Sequence, residues 1–341
     1  MNHRTTIIAD HHKSVFVCQV LDRETGEATR ATLKSRRDEL RSFLESLPRP
    51  AQVFIEACRS WEWVSDLCED VGIDFHLVDP KQMPEIARST KKTDRNDVDA
   101  MVKRFLSVGL PKARAASREE RDLRALTREQ VALRREDRVL VQKIHALIDS
   151  QAMPATKKDF AKGEWRDEIR AALSSALRLS LDLLLARWDL VRGQRDRIQE
   201  EIGRLSSKLP AVARLQTISG IGPILSATIV AEVPDATVFS SSRQFAAFTG
   251  LVPRVRSSAG TAKIGRITKS GPSALRWALT QAIFASQTAK EPTAAYLLYR
   301  RKRRRGKPAK VALCAGAHQL ARTVWSMLVN ETEYRAPKTA H

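Results

Sequence analysis

The chain has few cysteines, few aromatic side chains and no long uninterrupted apolar stretch. Its four cysteines form no Cys-x-x-Cys pair, which argues against a zinc site or a disulfide framework and indicates reduced, cytosolic residues. No stretch approaches the roughly 18 apolar residues that suggest a membrane span, and the first residues lack the apolar segment of a signal peptide. These absences predict a cytoplasmic protein that contacts no membrane.

Acidic residues are scarce relative to basic ones. The 341 residues include 59 lysines and arginines against 39 acids, a formal charge of +20. Residues 252–310 alone contain 15 basic residues and one acid, a surplus of 14. Such a surplus predicts a polyanionic partner, and nucleic acid is the commonest one. A ribosomal protein or a protein of anionic membranes would share this balance, so charge alone leaves the partner open.

Residues 1 to about 110 have the pattern of an α/β domain. β-Branched runs and turn residues predict strands at 5–10, 14–21, 28–34, 52–56 and 73–79. Helices are expected near 36–47, 61–71 and 94–107. Three early strands followed by alternating helix and strand is the order of a ribonuclease-H-like fold, although alternation alone fits many α/β folds.

Residues 115–208 change to a pattern typical of coiled coils. Between 117 and 150, apolar residues recur at 3-4 spacing, with Gln130 and Asp137 as polar interruptions. A second long helix is predicted from about 165 to 207. Two long helices joined by a short loop predict an antiparallel hairpin. Pairing of the same apolar seams between two subunits is an equal alternative, because each seam needs a partner.

Residues 211–332 are predicted to be mainly helical. The turn Gly220-Ile221-Gly222 is similar to a helix-hairpin-helix turn, whose backbone N–H groups can approach a DNA phosphate. A tight interhelical turn without a ligand is the alternative. Six consecutive cations begin at Arg300, and a phosphate backbone would relieve their mutual repulsion. The alternative for this run is a flexible, solvated loop.

Four acids stand out in the first hundred residues. Asp10 and Glu56 each end an apolar run, and Asp94 and Asp97 lie on one face at the start of a helical stretch. Each acid alone is more often a turn or helix-start residue. Together, carboxylates from two strand ends and one helix face can hold two Mg²⁺ ions, which activate an oxygen for attack on a phosphodiester.

These residues resemble the DEDD transposases of insertion-sequence family 110. The N-terminal similarity lies in Asp10-His11-His12-Lys13, in Glu56-Ala57 and in Lys92-Thr93-Asp94-Arg95-Asn96-Asp97. The C-terminal similarity is more specific and lies in residues 220–223, 245–253, 257–258 and 265–271. After Glu56 the chain departs from the family's Glu-Ala-Thr-Gly-Gly-Tyr and reads Ala57-Cys58-Arg59-Ser60-Trp61.

The resemblance implies a RuvC-like domain over residues 1–110, a coiled-coil region over 115–208 and a transposase domain over 211–332. It implies that the four acids, Asp10, Glu56, Asp94 and Asp97, bind two Mg²⁺ ions, with Mn²⁺ as a substitute. It also implies that Ser258, or Ser257 as the fallback, attacks a DNA phosphodiester. Taken alone, a serine in a Ser-Ser-Ala-Gly loop is usually a turn residue, and its hydroxyl needs activation.

The family further implies several macromolecular partners. These are donor and target DNA, a noncoding bridge RNA, and further copies of the chain as a homodimer that assembles into a tetramer near the nucleoid. Two alternatives remain: a RuvC-like junction resolvase or metal nuclease in which water attacks, and a non-catalytic nucleic-acid-binding scaffold. The expected phosphate contacts are Arg254, Arg256, Lys263, Arg266, Lys269, Arg300, Arg301, Lys302, Arg303, Arg304, Arg305 and Lys307.

Overall fold

The computed structural model describes residues 3–58, 60–83, 94–258 and 261–336. The chain divides into two compact units, Met1–Arg118 and Glu119–His341. The first is a mixed α/β unit and the second is mostly helical, as the sequence predicts. Among the described helices, none is both long enough and apolar enough to cross a membrane.

The first unit is built on a six-stranded mixed sheet with the strand order β3-β2-β1-β4-β5-β6. Strand β1 pairs antiparallel with β2 and parallel with β4, and β4 pairs parallel with β5. This arrangement is compatible with a ribonuclease-H-like fold. The elements are β1 (Thr5–His11), β2 (Val15–Asp22), β3 (Ala28–Lys34), α1 (Arg37–Glu45), β4 (Ala51–Glu56), α2 (Trp61–Asp70), β5 (Asp74–Val78), α3 (Asp94–Ser107) and β6 (Lys112–Ala113).

The two faces of this sheet bury different helices because side chains alternate along each strand. On one face, Ile7 and Val53 belong to an apolar cluster with Leu40 of α1 and Leu67 of α2. On the other face, the neighbouring strand residues form a second cluster with α3. Its buried members include Ile8, Phe54, Val98 and Met101. Helix α3 therefore covers the opposite face from α1 and α2.

The second unit contains nine described helices and one β-hairpin. They are α4 (Arg118–Asp149), α5 (Gly163–Ala172), α6 (Ser175–Ser206), α7 (Pro210–Gln216), α8 (Pro223–Glu232), α9 (Ser242–Phe248), β7 (Pro253–Ser258), β8 (Thr261–Ile267), α10 (Ser273–Ala285), α11 (Ala294–Arg304) and α12 (Ala309–Asn330). Short 3₁₀ turns occur at Pro80–Gln82 in the first unit and at Asp159–Ala161 and Ser286–Thr288 in the second.

Helices α4 and α6 pack against each other in antiparallel directions. Leu123, near the start of α4, is in an apolar cluster with Ile202, near the end of α6. Further along, the Trp188 ring N–H donates to Asp137 at 3.0 Å. Leucines, isoleucines and Trp188 from both helices share one buried cluster. Their role as a coiled coil between subunits stays a prediction.

The single helix predicted from about 165 to 207 is wrong, because the structure has two helices there. Helix α5 ends at Ala172, and α6 begins at Ser175 after a short break. The hydroxyl of Ser174 accepts a hydrogen bond from the backbone N–H of Leu177 at 3.5 Å. Such an N-cap satisfies a free amide at a helix start, so Ser174 marks a new helix rather than the interior of a long one.

Helices α7 to α12 enclose the largest apolar cluster of the second unit. Leu215, Ile229, Phe245, Leu279 and Val324 are completely buried in it. The antiparallel β7–β8 hairpin was not expected from the sequence. Its strands are largely polar, so they lack the regular alternation of apolar and polar residues that reveals most strands.

Candidate metal and nucleic-acid site

Two of the predicted acids lie side by side at one edge of the first unit's sheet. Asp10 and Glu56 each follow the last parallel register pair of β1 and β4, which is Ala9 with Ile55. Two residues earlier, Ile8 and Phe54 belong to the cluster that α3 covers. Because strand side chains alternate, both carboxylates project from this same face. Asp10 is only 7% exposed, whereas Glu56 is half-buried.

Helix α3 carries the other two predicted acids. Its residues Val98 and Met101 are completely buried against the sheet. Asp97 is half-buried and lies one turn before Met101, so it shares the sheet-facing side of the helix. Asp94 is the first residue of α3, but its side chain lies outside the described residues.

Carboxylate oxygens are ligands that Mg²⁺ prefers. The donor set Asp10, Glu56 and Asp97 therefore fits a hard divalent cation in its chemistry. Among the described side chains, no group of three or more acids, histidines and cysteines is close enough to hold a metal ion. Asp10, Glu56 and Asp97 therefore do not form such a group by themselves, and the side chain of Asp94 lies outside the described residues.

The two histidines after Asp10 have different surroundings. His12 is exposed, and its Nε2 lies 3.1 Å from Oδ2 of Asp10. His11 points to the opposite face of the sheet and is 2% exposed. His11 packs locally against the rings of Phe16 and Trp63.

His11 joins three chain segments at the edge of the sheet. Its Nε2 lies 2.7 Å from the Ser35 hydroxyl, which follows β3. Its Nδ1 lies 3.3 Å from the Ser60 hydroxyl and 3.7 Å from the Cys58 sulfur, in the segment that follows Glu56. Burial, and then the charge of His12, lowers the pKa of His11 from its usual 6.5. A neutral ring can donate from one nitrogen and accept at the other, which suits these hydroxyl partners.

The predicted nucleophile is the last residue of β7. Ser258 pairs with Thr261 across the hairpin, and Ser257 pairs with Ala262. Their side chains lie outside the described residues, as do those of Arg256 and Lys263. The described cations of this region, Arg254, Arg266 and Lys269, are exposed. Arg254 also donates to the carbonyl of Thr268 at 3.2 Å.

The run of six cations is helical rather than a loop. Arg300 to Arg304 form the last part of α11, and Arg305 caps it. Cations are favourable at a helix C-terminus, where the free carbonyl groups carry partial negative charge. Arg300, Arg301, Arg303, Arg304, Arg305 and Lys307 are exposed, and Lys302 is half-buried. This helix end therefore presents a concentrated positive surface.

The Gly220-Ile221-Gly222 turn has a packing reason at its first glycine. Gly220 has a φ of +93°, and a Cβ there would lie 2.5 Å from the Ser286 hydroxyl and 2.7 Å from the Ala282 carbonyl oxygen. Gly222 differs, since nothing lies within 4 Å of its hypothetical Cβ. Close contact with α10 therefore requires a glycine at position 220. At Gly222, just before α8 begins, there is room for a side chain.

Two protein families match this chain in the regions described above. The DEDD transposase family of IS110 elements matches residues 9–153, which include all four predicted acids. The family described as "Transposase IS116/IS110/IS902 family" matches residues 212–298, which include Ser258.

The chain belongs to the IS110 family of transposases.

Named relatives agree with this assignment over most of the chain. This IS110-family transposase is 28% identical to the "Probable family 20 transposase" of Pseudomonas aeruginosa, over 96% of the chain and 97% of the relative. It is 27% identical to the transposase for insertion sequence element IS1111A of Coxiella burnetii, over 83% and 79%. It is 26% identical to the transposase for insertion sequence element IS1328 of Yersinia enterocolitica, over 87% and 89%.

Sequence reasoning missed two features of the IS110-family transposase. The contact between His12 and Asp10 joins residues two apart on a strand end, and no motif signals it. The network around His11 depends on Ser35 and Ser60, which are distant in sequence. The presence of hydroxyl residues just after two strands was the only available signal, and it is shared with ordinary turns.

Proposed function

We propose that this transposase cleaves and exchanges DNA strands by using a divalent-metal site on Asp10, Glu56, Asp94 and Asp97 and a nucleophilic serine, Ser258. One observation carries the first half of this proposal. Asp10 and Glu56 occupy neighbouring parallel strand ends and project from the face that α3 covers, the helix on which Asp97 is half-buried. The match to a DEDD transposase family supports a divalent metal at these acids.

The four carboxylates would hold two Mg²⁺ ions, and Mn²⁺ would substitute. Bound divalent ions would neutralise phosphate charge and lower the pKa of the attacking hydroxyl. His12, at 3.1 Å from Asp10, would restrict the orientation of that carboxylate. His11 would hold the segment after Glu56 against the end of β1 through Ser60.

The chemistry of the proposed cleavage is a transesterification. The Ser258 oxygen forms a bond to phosphorus, the bond from phosphorus to one bridging DNA oxygen breaks, and the leaving oxygen gains a proton. The serine proton passes to solvent. Strand exchange reverses these steps, because a DNA hydroxyl from another strand attacks the phosphoserine and releases Ser258. The acids and Ser258 would have to meet on the DNA, within one chain or between two chains.

Basic residues would hold the DNA. Arg254, Arg266 and Lys269 are exposed near the hairpin that ends β7 at Ser258. The exposed cations at the end of α11 would contact phosphates elsewhere on the nucleic acid. Each contact releases counterions, so binding should weaken steeply with salt. Arg256 and Lys263 complete the proposed set around the hairpin.

A bridge RNA is proposed as the source of target choice. The large basic surplus supports binding of both RNA and DNA. In this scheme, base pairing supplies sequence recognition while the protein reads shape and backbone. Helices α4 and α6 would join two chains into a dimer, and two dimers would assemble the tetramer that holds both DNA partners.

Trapping of a covalent DNA adduct tests the nucleophile. Wild-type protein, Ser258→Ala and Ser257→Ala, each purified with its bound RNA, are incubated with labelled donor and target DNA in Mg²⁺, denatured and resolved by size. We expect label on the wild type and on Ser257→Ala, and none on Ser258→Ala. Cleavage that is undiminished in Ser258→Ala would support a resolvase or nuclease that uses water. Cleavage by none of the proteins, with DNA still bound, would support a non-catalytic scaffold.

RNA that co-purifies with the protein tests the guide. We expect it to map to noncoding DNA beside the gene for this chain. Recovery of bulk ribosomal RNA alone would contradict the guide-RNA proposal. It would mean that the basic surface binds RNA without selecting a sequence.

A further inference from the structure

The apolar packing between α4 and α6 is interrupted by one polar layer. Leu123 of α4 shares an apolar cluster with Ile202 of α6. Asp137, fourteen residues after Leu123, accepts a hydrogen bond from Trp188, fourteen residues before Ile202. Midway between these pairs, the antiparallel register brings Gln130 opposite Arg195. Arg134 lies one turn after Gln130 on the same face of α4. We call Gln130, Arg134, Asp137 and Arg195 the polar layer.

The polar layer contains buried hydrogen-bonding atoms without partners. Gln130 is completely buried, and both its Nε2 and its Oε1 lack a hydrogen-bond partner within the described part of the chain. The buried Nε atoms of Arg134 and Arg195 also lack one there. An unpaired buried polar group costs free energy, and several in one place indicate that something outside the chain satisfies them.

The polar layer also has an excess of positive charge. Asp137, 7% exposed, is its one acid, and it already interacts with Lys157 at 2.6 Å and with Arg195 at 3.3 Å. Arg134 has the ring of Trp277 5.7 Å from its guanidinium carbon. The guanidinium groups of Arg134 and Arg195 repel each other. Burial, and then this repulsion, lowers the pKa of Arg134, and the charge of Asp137 opposes the change.

We propose that the polar layer binds one phosphate-class oxyanion between α4 and α6. Three donors without partners, on Gln130, Arg134 and Arg195, would each meet an anion oxygen. A phosphate has oxygens in enough directions for three donors, whereas a carboxylate has two in one plane. The free Gln130 oxygen would accept from a hydroxyl of the anion or from a water molecule. An oxyanion also offsets the repulsion between the two guanidinium groups.

Thermal unfolding in inorganic phosphate tests this site. Sodium phosphate is compared with sodium chloride at equal ionic strength and pH 7. We expect phosphate to raise the unfolding midpoint of the wild type by about 3 °C more than chloride does. Arg134→Met should lose this difference. The matched control, Arg135→Met, removes an exposed cation from the next position of α4 and should keep it.

Gln130→Leu provides a second variant if Arg134→Met does not fold. It replaces an unsatisfied buried amide with an apolar side chain of similar size, so the chloride midpoint should stay the same or rise. The phosphate-specific rise should nevertheless shrink. The proposal is overturned if Arg134→Met and Gln130→Leu keep the full phosphate effect, or if Arg135→Met loses as much of it as Arg134→Met.

Duplex DNA distinguishes the two sources of the phosphate. If a backbone phosphate occupies the polar layer, Arg134→Met should reduce the slope of log affinity against log salt by about one, and Arg135→Met should reduce it less. If the layer takes free phosphate, the slope is the same in wild type and Arg134→Met, while Arg134→Met still loses the phosphate-specific rise in unfolding midpoint. Each result supports an oxyanion site and names its occupant.

Discussion

In the first unit, Asp10 and Glu56 occupy strand ends where their charges add nothing to the apolar packing of the sheet. In the second unit, three glycines of the family motifs meet backbone atoms so closely that no side chain fits. A Cβ on Gly220 would lie 2.7 Å from the Ala282 carbonyl oxygen, one on Gly250 2.8 Å from the Ser270 backbone nitrogen, and one on Gly271 1.6 Å from the Phe248 carbonyl oxygen.

The acids of the first unit and the glycines of the second show that a sequence motif can have either a chemical or a packing cause. The C-terminal motifs are the more specific in sequence, yet their glycines are explained by close packing of backbone. The N-terminal acids form a sparser pattern, and packing does not explain them. The acids lie within the residues that match the DEDD transposase family. We therefore attribute the acids to chemistry and the glycines to architecture.

The largest expected effect is on the architectural side. Gly271→Ala should destabilise the fold by about 4 kcal/mol or more, or prevent folding, because the new Cβ would displace the backbone at Phe248. Urea unfolding of the soluble protein measures it. The control is Gly222→Ala, which has open space around its Cβ and should cost far less. If Gly271→Ala unfolds at the same urea concentration as the wild type, close packing does not explain this glycine.

The next effect is on the chemical side. Asp10→Asn should lower DNA strand cleavage by about 100-fold to 1,000-fold, because the proposed metal site would lose one of its charges. Its thermal midpoint should not fall, since the side chain contributes charge rather than packing. Gel assays of labelled DNA measure cleavage, with Glu27→Gln, an exposed acid of the same unit, as the control. Loss of folding in Asp10→Asn would assign a structural role to this acid.

A smaller effect should follow from the network around His11, which we propose supports the acids. His11→Phe keeps a ring between Phe16 and Trp63 but removes both nitrogens, so Ser35 and Ser60 lose their partner. We expect the affinity for Mn²⁺, measured by titration calorimetry, to fall about tenfold. Ser35→Ala, which removes one of these contacts, should have an intermediate effect. Unchanged Mn²⁺ affinity in His11→Phe would limit His11 to packing.

The smallest effect is the pH dependence of stability. Burial lowers the pKa of His11, His76 and His318 from the usual 6.5. A group with a depressed native pKa contributes stability above its unfolded pKa and loses it as pH falls through the native value. Urea midpoints should therefore drop below about pH 6.5. His11→Phe should show a shallower drop, and an identical drop would mean that His11 does not contribute.

Much of the first unit's fold follows from local sequence. The strand predicted at 5–10 is Thr5–His11, and the helix predicted at 94–107 is Asp94–Ser107. Apolar β-branched runs and turn residues act within a few positions, so they can be recognised locally. The placement of Asp10 beside Glu56 could not be predicted in the same way. It depends on the pairing of Ala9 with Ile55, which the tertiary fold sets.

The second unit shows where local reasoning stops. Gln130 and Asp137 were recognised as polar interruptions, but their surroundings come from α6 and from Lys157. The β7–β8 hairpin has largely polar strands, and its existence depends on the pairing of the two strands with each other. The break before α6 depends on a single cap at Ser174, which is easily overlooked in an otherwise helical pattern.

The central claim is that the acids of the first unit and Ser258 of the second serve one reaction. The most direct measurement is the yield of covalent protein–DNA adduct from wild type, Asp10→Asn and Ser258→Ala, each with Mg²⁺ and with a chelator. We predict adduct only for the wild type in Mg²⁺. Adduct of wild-type yield in Asp10→Asn, or in the presence of chelator, would contradict the claim, because the serine would then act without the acids.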